Sequence, residues 1–231
     1  MVKRKGANRM SFKILVMSCD KYAKHTFELF HHCIEKYWKD HPEVIYNTET
    51  IDNPYYKTIH SNYPVKQWSI RLIESLKQID SKIVLVCPDD TFLRKQVDNE
   101  VIEKLSTYID DKLIAINLEP RFDGWEINEI FGVRDSRSKW LSSMMPQLWN
   151  KEKLIELIAF RELNPREVET IGTNTQFNFG IINSNKYFDF GKMGGVYPYA
   201  ITEGKWAREI VGFCKNEGIE IDFNELGFFE K

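Results

Sequence analysis

Ile83-Val-Leu-Val-Cys-Pro-Asp-Asp-Thr91 is the stretch on which the fold turns. Its apolar run is too short for a globular helix and rich in β-branched residues. A strand buried on both faces, as in parallel sheets, reads this way. The run stops at a proline followed by two acids. Working outward, Phe12-Lys-Ile-Leu-Val-Met17 repeats the pattern and ends in Ser18-Cys19-Asp20. Glu43 to Thr48 and Leu113 to Leu118 predict two more strands. Between them, Phe27, Phe30, Ile34 and Tyr37 recur at helical spacing, as do Trp68, Leu72, Leu76 and Ile79. A helical, charged pattern runs from Arg94 to Asp110. Strand and helix in alternation predict an α/β fold, a mostly parallel sheet flanked by helices.

The rest of the chain is less regular. Thr50 to Pro64 carries two prolines and three tyrosines and reads as loop. Residues 119–139 read as irregular. Lys151 to Phe160 predicts a short helix, Phe177 to Ile182 a strand, and Trp206 to Cys214 a closing helix ended by Gly218. No repeat or Gly/Ser linker divides the 231 residues, so a single domain is expected. Its first half, about 11–118, is of nucleotide-binding type. Its second, about 119–231, is irregular.

Lys plus Arg total 32 against 34 Asp plus Glu, a balance that offers no basic excess to attract nucleic acid. No apolar stretch reaches membrane-spanning length. The N-terminus is basic, with Lys3-Arg4-Lys5, and lacks the apolar core of a secretory signal. Cys19, Cys33, Cys87 and Cys214 are widely spaced and form no CxxC pair, so reduced thiols in a cytoplasmic protein are expected.

Ligands of open parallel sheets gather beyond the carboxyl ends of the strands. Asp20, Asp52 and the pair Asp89-Asp90 fall at such ends. Adjacent carboxylates at a strand tip repel each other unless a cation or solvent relieves them. A hard divalent ion, Mn or Mg, shared with phosphate oxygens would do so. Pro-Asp-Asp-Thr also reads as a turn whose Asp caps the next helix, and Asp20 reads equally as a cap for a helix from Tyr22. Arg71, on a mostly apolar stretch, either reaches an anion or pairs with a carboxylate. There is no His after residue 60, no P-loop and no GxGxxG.

Ile83 to Leu93 resembles the strand-plus-acid motif of small bacterial GT-A-type glycosyltransferases of capsular and surface polysaccharide biosynthesis. Ile14-Leu-Val-Met-Ser-Cys-Asp-Lys-Tyr22 is similar to their first strand and nucleotide-binding turn. Trp140 to Leu154, Asn164-Pro-Arg-Glu-Val-Glu169 and Glu203-Gly-Lys-Trp206 resemble later segments of the same proteins in the same order. Pro88 stands where a strict Asp-x-Asp would place its first acid. The resemblance implies a GT-A-like, Rossmann-like sheet whose second half faces the acceptor. It implies a nucleotide-diphosphate sugar donor held by Ser18, Asp20, Asp52, Arg71, Asp89 and Lys205, with a divalent metal on Asp89 and Asp90. It also implies Glu169 or Glu167 as the base of an inverting transfer. The acceptor would be a glycan or polyprenyl-linked hydroxyl, reached at the inner face of the membrane with help from the basic tail. A sugar-phosphate nucleotidyltransferase is the rival within enzymes, although Ser18 to Tyr22 lacks the glycine-rich loop. A phospho-receiver-like signalling module is the rival outside them, and it leaves the second half without a role.

Overall fold

In the computed structural model, residues 10–120, 124–173, 175–190 and 199–230 are described. The basic tail Lys3-Arg4-Lys5 lies outside them. Strand β1 (Phe12–Met17) and helix α1 (Asp20–Tyr37) open the fold, followed by β2 (Val44–Thr48) and β3 (Lys57–His60). Next come α2 (Trp68–Lys77), β4 (Ile83–Pro88), α3 (Asn99–Thr107) and β5 (Leu113–Asn117). The second half supplies β6 (Gly124–Glu126), β7 (Phe131–Arg134), β8 (Gln147–Asn150), α4 (Lys151–Ile158), α5 (Pro165–Ile171) and β9 (Asn178–Ile182). A hairpin, β10 (Ile201–Thr202) and β11 (Lys205–Trp206), precedes α6 (Glu209–Glu217).

Nine strands form one sheet in the order β3-β2-β1-β4-β8-β5-β9-β7-β6. Only β8 and β7 run against the direction of the other strands, so the sheet is mostly parallel as expected. Alternation along the central strands feeds two apolar layers. Ile14, Val16, Leu85 and Cys87 pack toward α1, α3 and α6. Leu15, Met17, Val84 and Val86 pack toward α2, α4 and α5. Helix α1 reaches the sheet with Ala23, Phe27, Phe30 and Ile34, the face that its spacing predicts.

Four differences from the sequence-based expectation have local causes. Residues 94–98 are extended because Arg94, Val97 and Asp98 donate their N–H groups to Asp189, Tyr37 and Tyr187. The helix begins only after Asp98, whose carboxylate caps the N–H groups of Glu100 and Val101. Trp206 belongs to β11, and α6 starts at Glu209 and ends, as expected, at Gly218 with φ 72°. The tyrosine-rich loop contains β3, paired in parallel with β2. The irregular 119–139 region contains the β6–β7 ribbon.

Tyr46 is fully buried between the edges of Phe27 and Phe30 and stacks on Tyr56. Its hydroxyl has no hydrogen-bond partner among the described residues. Removing an unsatisfied buried hydroxyl costs little. Tyr46→Phe is therefore expected to hold or raise Tm. A loss of more than about 1 kcal/mol, roughly 2–4 °C for a chain of this size, would contradict that reading.

Candidate functional site

The sheet order reverses at β1: the chain steps from β1 outward to β2 and β3, then returns to place β4 on the other side. Ligand crevices form at such points, beyond the carboxyl ends of the strands. Here Ser18 leaves β1 and Asp89 leaves β4, and Ser18 Oγ donates to Asp89 Oδ2 at 2.5 Å. Thr26, on the buried face of α1, donates to the same oxygen at 2.7 Å. Asp90 turns to the second half of the chain: its Oδ2 accepts the N–H of Ile201 at 3.1 Å, and its carbonyl accepts that of Ala200 at 2.9 Å.

The acid pair is not the open strand tip that the sequence suggests. Asp89 and Asp90 are 7% and 9% exposed, so both are buried where the chain leaves β4. Burial raises the pKa of Asp89, against the pull of the Ser18 and Thr26 hydroxyls. Burial and then the neighbouring charge of Asp89 push Asp90 up to about 8. Two carboxylates in this state favour a proton or a cation over double ionisation. The bonds above fall on Oδ2 of each carboxylate. Among the described residues no group of three His, Cys, Asp or Glu side chains could enclose an ion. The donor set fits a hard divalent cation that completes its shell with phosphate oxygens and water.

Behind the pair runs a polar network. Arg71 is fully buried. It donates to Asn47 Oδ1 at 2.7 and 3.1 Å, to the Ser18 carbonyl at 2.8 Å, and to Glu49. Glu49 in turn accepts the N–H of Asp20 at 2.6 Å. The Asp20 carboxylate accepts from the main chain of Glu49, Thr50 and Ile51 and from the Thr50 hydroxyl. Burial opposes ionisation of Asp20, but those bonds outweigh it and bring the pKa down to about 2. Arg71 and Asp20 thus hold the β1 and β2 termini together. Arg71 takes the carboxylate-pairing role rather than reaching an anion. Asp20 is the first residue of α1, whose cap position is Cys19.

The remaining residues separate into two groups. Asp52 is 84% exposed and bonds His60 at the rim. Glu167 closes the capping box of α5 with Asn164 and pairs with Arg161 at 2.8 Å, a helix-starting role. Glu169, one half-turn on, points the other way: Oε1 accepts the Met144 N–H at 3.3 Å and the Tyr199 hydroxyl at 3.2 Å. Lys205 is exposed on β11. Its hairpin turns on Glu203 and Gly204, both at positive φ, the pattern of a two-residue I′ turn. A Cβ at Gly204 would lie 2.9 Å from the Tyr22 hydroxyl, so the hairpin tip rests on the start of α1.

Residues 199–201 therefore touch both carboxylate positions, with Tyr199 on Glu169 and Ile201 on Asp90. Thr26, Asn47, Glu49 and Tyr199 bond the candidate residues and are not singled out by the sequence alone. For Thr26 and Asn47 a signal exists: each is a polar residue inside an otherwise apolar buried face.

No protein-family model matches the sequence, and no curated protein matches it in sequence. Solved structures do match in shape. S. aureus TarS 1–349 in complex with UDP aligns over 78% of this chain and 60% of its own, with TM-score 0.51 and 13% identity. S. aureus TarS 1–349 alone gives TM-score 0.50 and 15% identity over the same shares, 78% and 60%. A nucleotidyl transferase from Methanothermobacter thermautotroptrophicus aligns over 75% of this chain and 88% of its own, with TM-score 0.49 and 10% identity. The chain spans about three-fifths of the length of the TarS fragment it matches. The likeness establishes the fold, a GT-A-like α/β architecture. Among the described residues, no helix is long and apolar enough to cross a membrane.

Proposed function

We propose that the protein is a glycosyltransferase that moves a sugar from a nucleotide-diphosphate donor to a hydroxyl of a glycan or lipid-linked acceptor, with inversion. The observation that carries this reading is the link through residues 199–201. It joins a buried acid pair, suited to a cation and a diphosphate, to a carboxylate on the opposite, acceptor-side half. UDP in the TarS complex of similar fold supports a nucleotide donor. A divalent cation on Asp89 and Asp90 would neutralise charge gathering on the departing diphosphate. Ser18 and Thr26 fix the Asp89 carboxylate in place. Glu169 receives the proton of the attacking hydroxyl, with Met144 N–H and the Tyr199 hydroxyl orienting it.

Thermal-shift measurements with UDP-, GDP-, CMP- and dTDP-sugars, with and without Mn²⁺, test the reading. A ligand that binds the native state alone raises Tm with saturation, by about 2.7 kcal/mol of stability at 100 times its Kd. One nucleotide class should shift Tm, and only with the cation. No shift from any donor would overturn the proposal. Release of pyrophosphate from a nucleoside triphosphate would transfer it to the nucleotidyltransferase reading.

A further inference from the structure

Three described non-glycine residues have positive φ: Asp40 at 62°, Trp140 at 64° and Glu203 at 51°. Asp visits this region readily, and Glu203 sits in the hairpin turn described above. For a bulky aromatic residue the left-handed conformation is a true outlier and needs something to enforce it. At Trp140 the enforcing group is visible. Arg134, 3% exposed, donates from Nη1 to the Trp140 carbonyl at 2.8 Å and from Nη2 to the Lys139 carbonyl at 3.1 Å.

The same loop is bolted along α5 on both sides of Trp140. The Thr173 hydroxyl donates to the Ser138 carbonyl at 3.1 Å. Ser142 Oγ donates to the Val168 carbonyl and accepts the Gly172 N–H. Met144 N–H contacts Glu169. Trp140 itself is 39% exposed. The fold thus leaves an aromatic residue at the surface, four positions along the chain from Met144, whose N–H contacts Glu169.

We propose that Trp140 is a sugar-binding platform on the acceptor side, stacking its indole against the C–H face of a pyranose. The C–H bonds of a sugar ring carry partial positive charge and suit the negative face of an aromatic system. This proposal rests on the glycosyltransferase reading for the role of the bound sugar, namely to present a hydroxyl toward Glu169. The stacking itself does not depend on turnover.

Saturation-transfer NMR on the full chain tests it, with the methyl β-glycosides of glucose, galactose and N-acetylglucosamine at millimolar concentration. At least one should receive saturation mainly on the C–H protons of one ring face. Trp140→Gly should reduce that signal at least fivefold while keeping or raising Tm, because glycine accepts the positive φ without strain. Trp140→Tyr, which restores an aromatic face, should recover at least half of it. Addition of UDP and Mn²⁺ should leave the signal in place. No saturation from any of the three sugars, an undiminished signal in Trp140→Gly, no recovery in Trp140→Tyr, or displacement by UDP would each overturn the platform. Saturation that depends on Trp140 in a protein that binds no nucleotide-sugar would leave the platform standing and remove the glycosyltransferase reading instead.

Discussion

Glu169→Gln slows sugar transfer by about 10²–10⁴-fold while donor affinity stays nearly constant, the expected signature of losing a general base. The amide keeps the size of the side chain, and its oxygen still accepts from Met144 N–H and the Tyr199 hydroxyl. What disappears is the capacity to take a proton. Glu167→Gln, by contrast, should leave turnover intact and only loosen the start of α5, because Glu167 is engaged with Asn164 and Arg161. Turnover measured at saturating donor and acceptor decides between them. Full activity in Glu169→Gln, or a product that keeps the donor's anomeric configuration, would refute the base assignment.

Asp90→Asn removes the cation-dependent part of donor binding and raises the stability of the metal-free protein at alkaline pH. The sign follows from the raised pKa of Asp90, pushed up to about 8 by burial and then by Asp89. An unfolded aspartate ionises near pH 3.9. Between there and about pH 8 the native state keeps a proton that the unfolded state has released. Stability therefore falls as pH rises through that window. Asparagine is exempt from this loss and still accepts the Ile201 N–H. The variant and the parent should melt alike near pH 4 and diverge toward pH 8.5. A penalty of about 2 kcal/mol would appear as roughly 4–8 °C in Tm. Added Mn²⁺ and donor should stabilise the parent alone. Equal melting of the two proteins at pH 8.5 without metal would refute the titration argument, and a retained Mn²⁺-dependent donor shift in Asp90→Asn would refute the ligand assignment.

The central sheet is legible in the sequence because its strands are buried on both faces. A continuous apolar run such as Ile83 to Cys87, too short for a globular helix, fits a doubly covered strand. β8 is not legible. It is four residues long, begins with Gln147 and ends with Asn150, and its neighbours in the sheet are far away in the chain. No local pattern announces it, since only the contacts with β4 and β5 make those residues a strand. The acid pair is conspicuous because it interrupts apolar sequence. Its depth is not, because the covering residues 199–201 come from more than a hundred positions later. The positive φ of Trp140 is invisible for a further reason. Tryptophan is among the last residues that local preference would place there, and the bonds that hold the loop, the Arg134 guanidinium on the Trp140 carbonyl among them, appear only in the folded chain.

The wedge of β8 between β4 and β5 has a consequence for biogenesis. β4 and β5 are successive strands, yet neither can complete its hydrogen bonding until residues 147–150 have been made. A growing chain therefore carries two bare edges from the middle of its sheet, at an elongation rate of about 5–20 residues per second, for several seconds. Exposed edges of this kind recruit other strands. The middle of this sheet therefore closes only when a late segment of the chain arrives, and the open β4 and β5 edges are where pairing with another chain would start.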